Sequence, residues 1–448
     1  MLKSVGLIIC ARWVLPIIPK DGVLEHHAVV IHHGKIIDIC AQSLLEERYV
    51  ADETVVLDEH VIMPGLINLH THAAMSLMRG LADDLPLKPW LQQHIWPAEQ
   101  AFVSPKFVYD GTLLACAEML SGGVTTFNDM YFFPESTIQA STKIGMRAHI
   151  GLVVLEFATN YANTVDTYLE KGTAIRDAYK SEPLISFSFA PHAPYTVSDD
   201  TFNKISVLAD QLDMGIHTHL QETLFEVNES QSMYGLSPLK RFANLGLLSS
   251  KLVLAHCVHL SEADMQLLAE YGCHIAHCPA SNLKLASGIA PIAQYAALGI
   301  NIGIGTDGAA SNNRLDMFAE MRLAALLAKG ISGDATVVSA HRALEMATIN
   351  GAKALGLDHT VGSIEVGKMA DLTAVKLTDF YLQPCFDIAS HLVYVAGREN
   401  VTHTWVAGEL KYHQPDANAG VFSDVEPHDV LQIAQNWQRT LAMTASTK

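Results

Sequence analysis

Short apolar runs rich in β-branched residues alternate along the middle of the chain with stretches whose apolar positions recur every three or four residues. The runs are Val61 to Leu69, Val124 to Asn128, Arg147 to Val154, Leu184 to Ala190, Met214 to His219, Leu252 to His256, His274 to Cys278 and Ile300 to Gly305. Each reads as a strand. Between them, Tyr109 to Leu120, Asp200 to Leu212 and Leu315 to Ala328 carry helical spacing. Eight strand–helix units in succession predict an α/β fold, a (β/α)8 TIM-like barrel whose working face lies at the C-terminal ends of its strands.

The flanks carry a different pattern. Residues 1–60 are rich in Val, Ile and Leu and broken by turn signals, Lys20-Asp21-Gly22 and His33-Gly34-Lys35, which predicts several short strands. Residues 361–412 read the same way. Neither half could bury a core alone, so the two are expected to pair into one small β-sandwich domain. The barrel then spans residues 61–360, and residues 413–448 form a tail with an amphipathic helix from Asp429 to Leu441. Met1 to Ile18 is apolar enough for a signal peptide, but Arg12 interrupts it and no small-residue cleavage site follows, so it reads as strands.

Composition narrows the function classes. The 448 residues are 49% hydrophobic and 17% charged, as in a soluble globular enzyme. A net charge of -18 disfavours nucleic acid and anionic membranes as partners. Seven scattered cysteines without a Cys-x-x-Cys pair suit reduced thiols in the cytoplasm. No uncharged run reaches the roughly 18 residues of a transmembrane helix.

Polar residues end several of the predicted strands. His70-Thr71-His72 closes the first, His219 the fifth with Glu222 three residues on, His256 the sixth, and Thr306-Asp307-Gly308 the eighth. Alternate residues on a strand face one side, so His70 and His72 address one point. Three imidazoles and a carboxylate at one height form a catalytic site for zinc, with an open position where bound water reaches a pKa of about 7. Most of the 22 histidines must lie elsewhere. His217 competes with His219 but sits deeper in its strand. A second metal would need a bridging group, commonly a modified lysine ending the fourth strand. That strand continues Pro191-His192-Ala193-Pro194-Tyr195, so one ion per subunit is expected.

Met63-Pro64-Gly65-Leu66-Ile67-Asn68-Leu69-His70-Thr71-His72 resembles the opening strand of the amidohydrolase superfamily. More narrowly, Leu77-Met78-Arg79-Gly80, the Pro191 to Tyr195 block, Ala255-His256-Cys257-Val258-His259, Ser281-Asn282-Leu283-Lys284-Leu285 and Gly305 to Asn313 resemble the 5'-methylthioadenosine/S-adenosylhomocysteine deaminases. The resemblance covers nearly the whole chain. It implies a metal-dependent hydrolase barrel with zinc on His70, His72, His219 and Asp307, Glu222 as proton carrier, and His256 orienting the attacking oxygen. It further implies that Trp90 covers the adenine, that Glu99 binds the ribose hydroxyls, and that His192, Ser281 and Asn282 contact the substrate. The implied reaction is attack of metal-bound hydroxide on carbon six of an adenosine derivative, giving the inosine analogue and ammonia. Barrels of this kind often form dimers, which makes a homo-oligomer the expectation.

One position departs from the family. Relatives that take S-adenosylhomocysteine well carry arginines shortly after the third strand, whereas the first matching position is Leu152 and no Arg or Lys occurs from Ala148 through Glu170. A carboxylate there would meet an apolar wall, which favours the uncharged thioether of 5'-methylthioadenosine. Other purine deaminases, guanine deaminase among them, and triazine-type chlorohydrolases would share the metal set but not Trp90, Glu99 and the Ser281-Asn282 block. A non-catalytic dihydropyrimidinase-like scaffold would have no need to retain four ligands and Glu222.

Overall fold

The computed structural model describes residues 2–20, 22–415 and 420–445. The expected turn at Asp21 and parts of the expected tail fall outside them. The chain opens with β1 (Lys3–Val14), β2 (Leu24–His32), β3 (Lys35–Ala41) and β4 (Tyr49–Pro64), of which β1 has 12 residues and β4 16, longer than the short strands expected. The apolar run Val61 to Leu69, expected as one strand, is divided at Gly65. A Cβ on Gly65 would lie 2.2 Å from the Thr125 side chain, and its N–H donates to the Asp371 carbonyl at 2.9 Å. Val61 to Pro64 therefore finish β4, and the chain crosses into a second sheet.

That sheet is the barrel: β5 (Leu66–Thr71), β6 (Val124–Tyr131), β7 (Arg147–Val154), β8 (Ile185–Pro191), β9 (Gly215–Leu220), β10 (Leu252–His256), β11 (His274–His277) and β12 (Asn301–Ile304). All eight are parallel, each bonded to its sequence neighbour. Burial on both faces explains the near-continuous apolar runs. The seam between β12 and β5 closes without a ladder. Asn68 donates to Thr306 Oγ1 at 2.7 Å and accepts from its N–H at 2.9 Å, while the Asp307 N–H donates to the His70 carbonyl at 2.9 Å.

Beyond the barrel, β13 (Leu372–Lys376), β14 (Val401–Val406), β15 (Glu409–His413) and β16 (Val421–Phe422) return to β4. The combined eight-stranded sheet is mixed, with order β16-β15-β14-β13-β4-β1-β2-β3. It folds over on itself into a β-sandwich: the Ala370 N–H donates to the Gly34 carbonyl at 2.9 Å, and Ile9, Ile31, Leu57, Leu372 and Trp405 from distant strands share one core. Arg147 at the start of β7 grips Asp371 through Nε at 2.9 Å and Nη2 at 3.1 Å, a buried pair joining sandwich to barrel. The helix Pro427–Ala445 lies on the helix Pro105–Ser121, where Trp437 Nε1 donates to Asp110 at 2.7 Å. Among the described residues no helix is long and apolar enough to cross a membrane.

Candidate active site

The C-terminal ends of β5, β9, β10 and β12 converge on a cavity of about 420 Å³. One ligand atom from each of His70, His72 and His219 lies within 4.8 Å of the others, and the same holds for His70, His256 and Asp307. Hydrogen bonds on the far side of each ring settle which nitrogen faces inward. His72 Nδ1 lies 2.6 Å from the Met130 carbonyl and His219 Nδ1 2.7 Å from the His192 carbonyl. A carbonyl only accepts, so both rings carry their proton on Nδ1 and leave Nε2 free for a metal. His70 turns Nδ1 toward His217 Nε2 at 2.9 Å, while its buried Nε2 lacks a hydrogen-bond partner. His217 thus stands behind His70. This donor set, with an orphaned buried nitrogen and a carboxylate oxygen 3.3 to 3.4 Å from His72 and His70, fits a divalent ion of the zinc type.

The same groups also act on one another's charge. Burial opposes charge on Asp307, yet His70 and His72 hold its carboxyl well below the usual range. Burial also disfavours a charged His72, but Asp307 outweighs it and lifts the ring to about 9, whereas burial takes His70 down to about 4. Asp307 is fixed on its outer side by Ser281 Oγ at 2.6 Å and Ser311 Oγ at 2.7 Å, both donating to Oδ2. His256 Nδ1 lies 2.8 Å from Asn282 Oδ1. Ser281 and Asn282, expected at the substrate, are buried, with Ser281 Oγ on Asp307 and Asn282 Oδ1 on His256. Ser311, four residues after Asp307 in the Gly305 to Asn313 block, was not singled out from the sequence, although that spacing suits a side chain reaching back.

Glu222 lines the cavity and is 5% exposed. Burial pushes its carboxyl above the usual range, against the nearby His256. Ser287 donates to Oε1 at 2.8 Å, and Oε2 lies 3.8 Å from His256 Nε2. Several residues at these strand ends, Gln221, His256, Cys257 and Asp307, adopt positive φ without being glycine. Such conformations cost of order 1–3 kcal/mol each and persist only where surrounding bonds enforce them.

Trp90, Glu99 and His192 all face the same cavity. Trp90 belongs to a long excursion after β5, whose Leu91, Trp96 and Glu99 also line the cavity. Burial raises Glu99 to about 7, although Tyr131 donates to its Oε1 at 2.9 Å. His192 is held down at about 3 by burial, its Nδ1 2.9 Å from Thr196 Oγ1. Leu152 does not form the expected apolar wall. It packs outward against Gly172 of the helix Val165–Tyr179, 3.2 Å from where a Cβ would stand, and strand alternation turns Val153 and Leu155 inward. A second chamber of about 710 Å³ shares Leu87, Leu91, Trp96, Phe157, Tyr195 and Leu285 with the first. Its cations are Lys88, stacked on Phe225, and Arg241, paired with Asp199 at 2.6 Å.

An eight-stranded barrel with this convergence of imidazoles and a carboxylate defines a metal-dependent hydrolase architecture. The amidohydrolase family profile matches residues 61–411, and the chain belongs to that family. It is 45% identical over 99% of its length to the 5-methylthioadenosine/S-adenosylhomocysteine deaminase of Saccharophagus degradans, spanning 98% of that protein. The 5'-deoxyadenosine deaminase of Methanosarcina acetivorans is 41% identical over 90% of this chain and 92% of its own. The crystal structure of an adenosine deaminase from Xanthomonas campestris with bound zinc shares 44% identity and a TM-score of 0.96, covering 99% of this chain and all of that one.

Proposed function

We propose that this protein hydrolytically deaminates the adenine ring of 5'-substituted adenosines, with one zinc ion per chain and with 5'-methylthioadenosine preferred over S-adenosylhomocysteine. The observation that carries the reading is the cavity itself. Ligand-type side chains and Glu222 occupy its floor, the apolar rings of Trp90, Trp96 and Phe157 its walls, and the half-buried Glu99 another side. A flat base suits the walls, and a ribose diol suits Glu99. The names of the three proteins compared above, each a deaminase of adenosine or its derivatives, support the same substrate class.

His70, His72, His219 and Asp307 would hold the ion, which when bound supplies the Lewis acidity that makes water a nucleophile near neutral pH. The chain's own groups move the protons. Glu222, whose affinity for a proton burial raises, donates to the ring nitrogen beside the carbon under attack and so makes that carbon electrophilic. Asp307, kept ionised, accepts a proton from the attacking water. His256, oriented by Asn282, directs Nε2 toward the entering oxygen. Water adds, the amine takes up a proton, and the products are ammonia and the inosine analogue. The scattered thiols suit action in a reducing cytoplasm, and a homo-oligomer remains the expected assembly.

Selectivity follows from the inner wall. Val153, Leu155 and Phe157 line it, and no Lys or Arg among the described residues does. A homocysteine carboxylate would lack a charge-assisted hydrogen bond there, worth about 1.5 to 3 kcal/mol, or roughly ten- to a hundred-fold in kcat/KM. The experiment is ammonia release from adenosine, 5'-methylthioadenosine, S-adenosylhomocysteine, adenine and guanine. The highest kcat/KM is expected for 5'-methylthioadenosine. Turnover of the free bases but not the nucleosides would overturn the reading, and a ratio favouring S-adenosylhomocysteine would overturn its selectivity.

A further inference from the structure

We infer that Glu226 is a positioning residue for Glu222, clamping the strained turn that presents the acid to the cavity. The inference rests on the role proposed above for Glu222. In sequence, Thr223 and Glu226 stand three apart at the start of a helix and read as a capping box, in which the acidic side chain reaches back to the N–H of the capping residue. The structure departs from that motif. Thr223 does cap the helix Leu224–Tyr234, accepting the Glu226 N–H at 3.3 Å. The Glu226 carboxylate instead reaches past Thr223: Oε1 accepts the Gln221 N–H at 2.8 Å and Oε2 accepts the Glu222 N–H at 3.0 Å.

Those bonds fall at the point of strain. Gln221 has φ of 48°, where an L residue is rarely found, and it is also tied by its side chain to the His259 carbonyl at 2.7 Å and to the Leu239 N–H at 3.0 Å. Glu226 is 4% exposed, and burial raises its carboxyl to about 8 against the two backbone donors. A helix cap needs no such burial. With one backbone N–H of the turn on each oxygen, the carboxylate sets the height of Glu222 relative to Ser287 and His256.

The test compares Glu226→Gln, Glu222→Gln and the double variant in zinc-loaded protein, reading kcat, KM, zinc content and Tm. The glutamine keeps the shape but turns a donating NH2 group toward a backbone N–H. Zinc content should hold and KM change less than about threefold, while kcat falls roughly ten- to a hundred-fold, the usual cost of a catalytic group displaced by a fraction of an ångström to an ångström. Because Glu226 acts through Glu222, the double variant should be no slower than Glu222→Gln alone. A role in capping alone would lower Tm and leave kcat per zinc-loaded site unchanged. Wild-type kcat within about twofold, or losses that multiply in the double variant, overturns the inference. Should Glu226→Gln fail to fold, Glu226→Asp, which keeps the carboxyl group but falls short of the turn, is read by the same criteria. A fast Glu222→Gln would instead overturn the role of Glu222.

Discussion

Two imidazoles in this site, those of His72 and His219, have their tautomer decided by a backbone carbonyl. Replacing both His70 and His72 by alanine should therefore remove the metal and the activity together, as read by metal analysis on the purified variant. A double variant that keeps its zinc and its rate would sink the ligand assignment. Glu222→Gln separates the remaining functions. It should retain zinc and lose at least the roughly hundred-fold typical of a general acid, since glutamine cannot pass on a proton. Parallel loss of metal and rate would recast Glu222 as a ligand or support. His70, His72, His219, Glu222, His256 and Asp307 could be picked out in the sequence because each sits at or just beyond the end of a strand, where local pattern fixes its direction. For Ser281 and Asn282 the motif gives proximity to the site, and only the fold shows that they bond Asp307 and His256.

At the scale of elements, the strands and main helices follow from periodicity, and their boundaries shift by a few residues. The expected helix Leu315 to Ala328 runs Met317–Ser332, started where Asp316 caps the N–H groups of Phe318 and Ala319. The division of Val61 to Leu69 is of another kind. An apolar run buried in two successive sheets has the same pattern as one buried in a single sheet, so the crossing at Gly65 depends on Thr125, far along the chain. The link between the sheets is also tertiary. Arg147→Ala would leave Asp371 buried and unpaired, which should cost about 3–5 kcal/mol. Urea unfolding of the variant checks this, and a loss below about 1 kcal/mol would show that the pair does not hold the sandwich to the barrel.

Across the whole molecule, buried carboxyl groups bind backbone around the site: Asp129 accepts the Ala73 N–H at 2.7 Å, Glu226 the N–H groups of Gln221 and Glu222, and Glu320 the Ala280 N–H at 3.0 Å. Burial raises Asp129 to about 6 and Glu320 to about 8. An acid whose folded pKa is raised keeps a proton that the unfolded chain releases. The stability Glu320 contributes is thus complete below its unfolded value of 4.5 and is lost as pH rises through about 8. Metal-free Glu320→Gln should show a flatter Tm between about pH 5 and about pH 8.5 than the metal-free parent. Identical slopes for the two would place the proton elsewhere. The sequence by itself determined the barrel, the histidine and aspartate termini and the kind of metal they suit, because strand direction and alternation are local properties. Only the tertiary structure decided that Leu152 faces outward while Val153 and Leu155 form the wall, that the Trp90 to Glu99 segment lines the cavity, and that Glu226 reaches past its own helix cap. Each of these depends on which distant segments meet when the ring of strands closes.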